Sequence, residues 1–273
     1  MYLGIDIGAS KTLLAVFSED GKLIDKVKVE TSEKYSTFLN DLKIIIEKEF
    51  GKYNFRACCC ALPGRIDRKN GIGLHMGNLA WQNIPIKKDL ELLLGCPRVY
   101  IENDAKLAGL SEALNHKEYK KVVYITISTG IGIGIIIDGK INSEFADSEV
   151  GNMMLEHDGK LQRWEDFASG RALKNRYGKL ASEINDSSIW SEYVEGLVVG
   201  FEATLAAFQP EVVIIGGGVG AHFEKFGNLL IRRLKGLDNK MVPIPPIIKA
   251  KRPEEAVIYG CYDFIRQNLG YKS

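Results

Sequence analysis

The chain has little net charge of either sign. Its 36 basic and 35 acidic side chains leave +1 at pH 7 over 273 residues. That balance removes the electrostatic case for a nucleic-acid partner. Long apolar runs are missing too: none approaches the ~20 residues of a membrane span, so no membrane partner is expected. The N-terminus enters a strand pattern at Tyr2 without a basic lead or small-residue cleavage site, so the expected location is the cytoplasm. Cysteine is sparse, and Cys58, Cys59, Cys60, Cys96 and Cys261 contain no Cys-x-x-Cys spacing. Three are consecutive. Strand neighbours point to opposite faces, so they cannot form one thiol cluster and read as reduced, buried small hydrophobes.

A P-loop is also lacking, although "GIDIGASKT" at residues 4–12 ends like one. That motif needs glycine where Ile5 and Ser10 stand. It must also open a helix, whereas Leu13–Phe17 is a short apolar run closed by Ser-Glu-Asp-Gly, a second strand. The stretch is a hairpin whose turn carries Asp6, Gly8, Lys11 and Thr12. An acid in a phosphate turn needs an explanation.

What is present repeats. "VVYITISTGIGIGIIIDGKI" at 122–141 is again strand, small-residue turn, strand, and again closes on Asp-Gly-Lys, as residues 20–22 do. The echo implies a duplicated domain. Elsewhere strands and helices alternate, which predicts an α/β fold with partly parallel sheets. The predicted helices include one in "YSTFLNDLKIIIEKEF" at 35–50, with Ser36 as a candidate cap, one from about Ala105 to Ala113, and a closing helix in the tail.

Several polar residues fall where ligands bind. Glu102, Asn103 and Asp104 stand where an apolar strand gives way to a helix, the usual ligand edge of open α/β sheets. A carboxylate there can deprotonate a hydroxyl; Asn103 or Asp104 can equally cap the helix. Gly216, Gly218 and Ala221 formally match a dinucleotide glycine pattern, but the acid that should end the next strand is replaced by Asp238 in a polar turn. Those glycines serve either close nucleotide approach or strand–helix packing. Asn78, Glu149 and Glu165 are further polar candidates, and the apolar neighbours Leu79 and Trp81 set Asn78 against a packed surface.

Taken in order, "GIDIGASKT", "ALPGRID", "NLAWQNIP", "VYIENDAKLAGLSEA", "VVYITISTGIGIGIIIDGKI", "EVGN", "WEDFASG" and "QPEVVIIGGGVG" resemble the ROK family of bacterial sugar kinases and regulators across nearly the whole chain. The resemblance implies two ribonuclease-H-like α/β domains of the actin-like ATPase type, with mixed sheets around a central cleft. Residues 1–118, completed by a helix in 255–273, would form one and 119–254 the other. It implies an ATP-dependent hexose kinase acting on the 6-hydroxyl of glucose or a similar aldohexose, with N-acetylmannosamine or another N-acetylhexosamine, or fructose, as alternative substrates. A sugar-responsive regulator is the non-enzymatic alternative. By resemblance, Asp104 is the general base, and Asn78, Asn103, Glu149, Asn152 and Glu165 hold sugar hydroxyls. Gly8, Lys11, Thr12, Thr129, Gly130, Gly132, Gly217 and Gly218 approach ATP. Asp6 holds Mg2+ through water, which answers the question its charge raises. A homodimer is also implied.

The departures concern the sugar side. The family usually has histidine where Asn152 stands, and that histidine shares a zinc ion with a cysteine-rich loop. Here "MMLEHDGKLQRWEDFASG" contains no cysteine and a single histidine, His157. All four ligands are missing together, so no zinc is expected and Trp164 is assigned to packing. Asn142, Phe145 and Ser148 replace customary glycines beside Glu149.

Overall fold

The computed structural model describes residues 1–237 and 239–271. Asp238, and residues 272–273 of the tail assigned above to the closing helix, lie outside the described residues. The chain divides into two compact units, Met1–Ser111 together with the C-terminal residues from Val257, and Glu112–Ala256.

In the first unit, β1 (Tyr2–Ile7), β2 (Lys11–Phe17) and β3 (Leu23–Glu30) form an antiparallel meander. Helix α1 (Tyr35–Phe50) follows. It begins one residue before Ser36, and its N-terminal position is Lys34, with no side-chain cap. Tyr35 anchors that end instead: its ring meets Trp81 edge-on and its hydroxyl donates to Asp89 at 2.7 Å. β4 (Ala57–Leu62) joins β1 in parallel, and the later strand β8 (Val99–Asn103) joins β4. Between them run β5 (Arg65–Asp67), β6 (Ile72–His75), β7 (Gln82–Ile84) and α2 (Ile86–Leu94), which Gly95 ends in the left-handed region. Then come β8 (Val99–Asn103) and α3 (Asp104–Leu114). The sheet order is β3-β2-β1-β4-β8.

The second unit repeats that plan. β9 (Lys121–Ile127), β10 (Ile131–Ile137) and β11 (Lys140–Ile141) form the meander, β14 (Val212–Gly216) and β15 (Ile247–Lys249) the parallel strands, and the order is β11-β10-β9-β14-β15. Two sheets of identical connectivity turn the sequence echo into a structural repeat. The insertion after β11 holds β12 (Met154–His157), β13 (Lys160–Arg163), α4 (Trp164–Ala168), α5 (Gly170–Tyr177) and α6 (Ser187–Phe208). α7 (Gly217–Gly220) and α8 (Phe223–Gly236) follow β14, and α9 (Ala256–Asn268) ends the chain.

Alternation along β1 sets its two faces. Leu3, Ile5 and Ile7 enter a core with Phe38, Leu42 and Leu90. Gly4 and Asp6 face the other way, where a Cβ on Gly4 would press on Ile258 and Cys261 of α9. All five cysteines are buried and free. Among the described residues, no helix is long and apolar enough to cross a membrane.

Candidate active site

Parallel strands end on a common edge, so the first unit brings its candidates together by topology. Asp6 on β1 registers with Ala61 on β4, which registers with Glu102 on β8. Just past the strand ends lie Gly8, two residues after Asp6, Gly64, three after Ala61, and Asp104, two after Glu102. The Asp6 carboxyl is pushed up to about 7, first by burial, then by the negative charge of Asp104, with Lys28 opposing both. Asp6 and Asp104 therefore lie close enough at this edge for each to feel the other's charge.

The hairpin turn is shaped from behind. Gly8 N–H donates to the Lys11 carbonyl at 3.0 Å, and a Cβ on Gly8 would press on that oxygen. Thr12 is fully buried, with its hydroxyl 2.9 Å from that of Thr31, which in turn donates to the Gly8 carbonyl at 2.9 Å. Thr31 is a residue that sequence reading did not single out. Only the register of β2 against β3 brings it here, with Lys11 opposite Glu30. The Lys11 side chain is half exposed and 3.8 Å from Glu30.

Asn103 is buried and does cap α3. Its Oδ1 accepts from Ala105 N–H at 3.0 Å and Lys106 N–H at 3.3 Å, and its Nδ2 donates to the Gly64 carbonyl at 3.2 Å. Asp104 also accepts from Ala105 N–H, at 2.7 Å. Gly64 has φ +106° and no room for a Cβ against the His75 carbonyl. That close approach sets the 75–77 turn against Gly64, whose carbonyl Asn103 holds, and Asn78 follows that turn as an exposed residue. Arg68 is a second residue the sequence did not flag; it pairs with buried Glu102 at 2.6 Å.

In the second unit the candidates gather at the equivalent edge. A Cβ on Gly130 would press on a carboxylate oxygen of Glu165, and one on Gly151 would overlap the Ile131 carbonyl. Glu165, Glu149 and Asn152 therefore flank the turn that carries Thr129, Gly130 and Gly132. Gly217, at φ +83°, backs onto Ile127 at the end of β9, and Gly218 beside it is exposed. Glu165 is approached by Arg163 at 3.3 Å and Arg171 at 3.8 Å.

The cysteine-free segment is an ordered hairpin. Asp158 and Gly159, both with positive φ, form the two-residue turn between β12 and β13, and Asp-Gly is the sequence signal for such a turn. The hairpin ends in Trp164, fully buried in the slot that Gly200 leaves on α6, while Phe167 lies against Gly196. Trp164 Nε1–H donates to the Gly196 carbonyl at 3.1 Å. His157 stacks on Phe167 at 4.3 Å. Among the described residues, no cluster of three or more His, Cys, Asp or Glu could hold a metal.

The ROK family matches residues 2–268. The chain belongs to the ROK family. It is 27% identical to an N-acetyl-D-glucosamine kinase of Haemophilus influenzae, over 95% of this chain and 97% of that one. It is 30% identical to a glucokinase of Streptomyces coelicolor over 65% of this chain and 58% of the relative. Its fold matches a ROK glucokinase of Streptomyces griseus, solved with glucose and AMPPNP, with a TM-score of 0.83 at 24% identity over 97% and 99% of the two chains. The ROK chain is thus an α/β protein with mixed sheets of the actin-like ATPase type.

Proposed function

We propose that this ROK protein is an ATP-dependent sugar kinase that phosphorylates a hexose or its 2-acetamido derivative. The observation that carries the reading is Asp104: a carboxylate at the carboxyl edge of parallel strands, on the first residue of a helix, close to a second acid. Asp104 takes the proton of the attacking sugar hydroxyl as that oxygen bonds to the γ-phosphorus and ADP leaves. Asn78 and Asn103 orient the sugar's remaining hydroxyls, and Glu149, Asn152 and Glu165 are the second unit's own candidates for sugar contact. The turn Gly8–Thr12, with Lys11, takes phosphate oxygens. Thr129, Gly130 and Gly132 offer backbone N–H groups to the same chemistry, and Gly217 and Gly218 give flat backbone to adenosine. Positioning and charge stabilisation are what phosphoryl transfer asks of a protein.

The two acids fit a divalent cation. Both donors are hard oxygens, as Mg2+ prefers, and burial followed by the negative charge of Asp104 pushes the Asp6 carboxyl up to about 7, an imbalance a cation would relieve. Asp6 would hold the ion through water, and the ion would neutralise phosphate charge.

The 6-hydroxyl of glucose is the first substrate to test. N-acetylhexosamines are a second reading, favoured by relatives that match over nearly their full length. Fructose remains on the panel. A cytoplasmic homodimer is the proposed form, and light scattering tests the assembly. The deciding experiment is ADP release with Mg-ATP across hexoses and N-acetylhexosamines. Turnover on one of them is expected; binding of a sugar without turnover would favour a sugar-responsive regulator.

A further inference from the structure

Glu102 is the penultimate residue of β8, and its side chain is only 4% exposed. A carboxylate buried that far needs a partner. Arg68 supplies a two-pronged one: Nε donates to Oε2 at 2.8 Å and a terminal nitrogen donates to Oε1 at 2.6 Å. Oε1 also accepts from Asn103 N–H at 2.7 Å. Asn103 is then fixed through its side chain to Gly64 and to the first turn of α3. Three successive residues, Glu102, Asn103 and Asp104, are each tied at a strand-to-helix turn that would otherwise be free to pivot. Arg68 comes from a different sheet, just beyond β5, whose pairing with β6 places Ile66 opposite Gly73.

We propose that Arg68 and Glu102 are positioning residues: their ion pair locks the turn that presents the Asp104 carboxylate to the sugar hydroxyl. The proposal rests on Asp104 being the general base. Neither residue touches the reacting atoms. Their effect passes through the Asn103 backbone, so it should appear in the chemical step and not in ATP binding. Lysine cannot reproduce the two parallel bonds of arginine, so Arg68→Lys should recover only part of what Arg68→Met loses.

The test uses the full chain and the sugar that supports turnover. Arg68→Met is expected to lower kcat about 10–100-fold, as a misplaced catalytic group does, with the KM for ATP within about twofold of wild type. Arg68→Lys is expected to lie between the two. Because Arg68→Met leaves a carboxylate buried without its partner, the double variant Arg68→Met/Glu102→Gln guards against misfolding. It should regain thermal stability but not kcat. Hydrogen exchange at the amides of Asn103, Ala105 and Lys106 should accelerate in both. An Arg68→Met enzyme that keeps its kcat, in a preparation series where Asp104→Asn has lost turnover, overturns the positioning role and leaves the base intact. So does a double variant whose kcat returns along with its stability. Full turnover by Asp104→Asn removes the base assignment, and this proposal with it.

Discussion

Trp164 fills the space that Gly200 leaves open on α6: a Cβ at position 200 would overlap the indole ring. The neighbouring Gly196 receives the indole N–H through its carbonyl. A helix with two glycines four residues apart would ordinarily lose stability. Here it gains a slot, and a fully buried tryptophan covers it. Glu165 follows Trp164 directly, so the packing of one sets the place of the other.

Gly200→Ala should therefore be destabilising although alanine is the better helix former. Overpacking a buried site costs about 1–3 kcal/mol, and overlap with a rigid, fully buried indole puts this site at the upper end, above the ~1 kcal/mol that alanine returns in a helix. Urea unfolding of the two proteins measures it. A stabilised Gly200→Ala would mean that the indole does not occupy the slot.

The same arrangement leaves no structural task for zinc in the hairpin. Elemental analysis of the purified chain should find zinc well below one equivalent, and chelator should leave the melting temperature unchanged. A tightly held stoichiometric ion would contradict this.

Asp6 predicts a pH dependence. Its folded-state value, about 7, lies above its ordinary 3.8. The folded metal-free chain thus binds the extra proton between those values, and stability falls as pH rises from about 4 to 7. Asp6→Asn removes the penalty. The variant should melt higher than wild type above pH 7, and the difference should fade as the pH drops toward 4. Added Mg2+ should narrow the gap in wild type by neutralising the two acids. A gap that widens toward low pH would reverse the argument.

Asn103→Ala removes a helix cap and the bond to Gly64 together. A cap alone is worth about 0.5–2 kcal/mol, so thermal unfolding should drop by at least that much. Asn103→Asp should retain the cap, and unfolding should shift less.

The parts legible in the sequence were those set by local chemistry. The two strand-turn-strand units announce themselves through apolar runs broken by glycine, and the Asp-Gly closures of both are visible as letters. Asp104 stands out because the strand-to-helix change is abrupt. Thr31 and Arg68 were not legible. Each reaches the site through pairing between distant segments, β2 with β3 and the β5 turn with β8, and neither sits in a periodic or punctuated pattern. Ser36 was misread for a related reason: the start of α1 is fixed by tertiary contacts of Tyr35 and not by a local cap. The hairpin at Met154–Arg163 was hidden differently. Its Asp158-Gly159 turn is a local signal, but strands of four residues each carry little periodicity to mark them on either side.

The central claim is that the Asp104 carboxylate removes the sugar proton. The direct measurement is kcat for wild type and Asp104→Asn on the sugar that supports turnover, with sugar binding measured calorimetrically in both. General-base catalysis is worth about 10²–10⁴-fold, so Asp104→Asn should lose at least the lower figure while still binding the sugar. Wild-type turnover by the variant would show that the proton leaves by another route and would contradict the account.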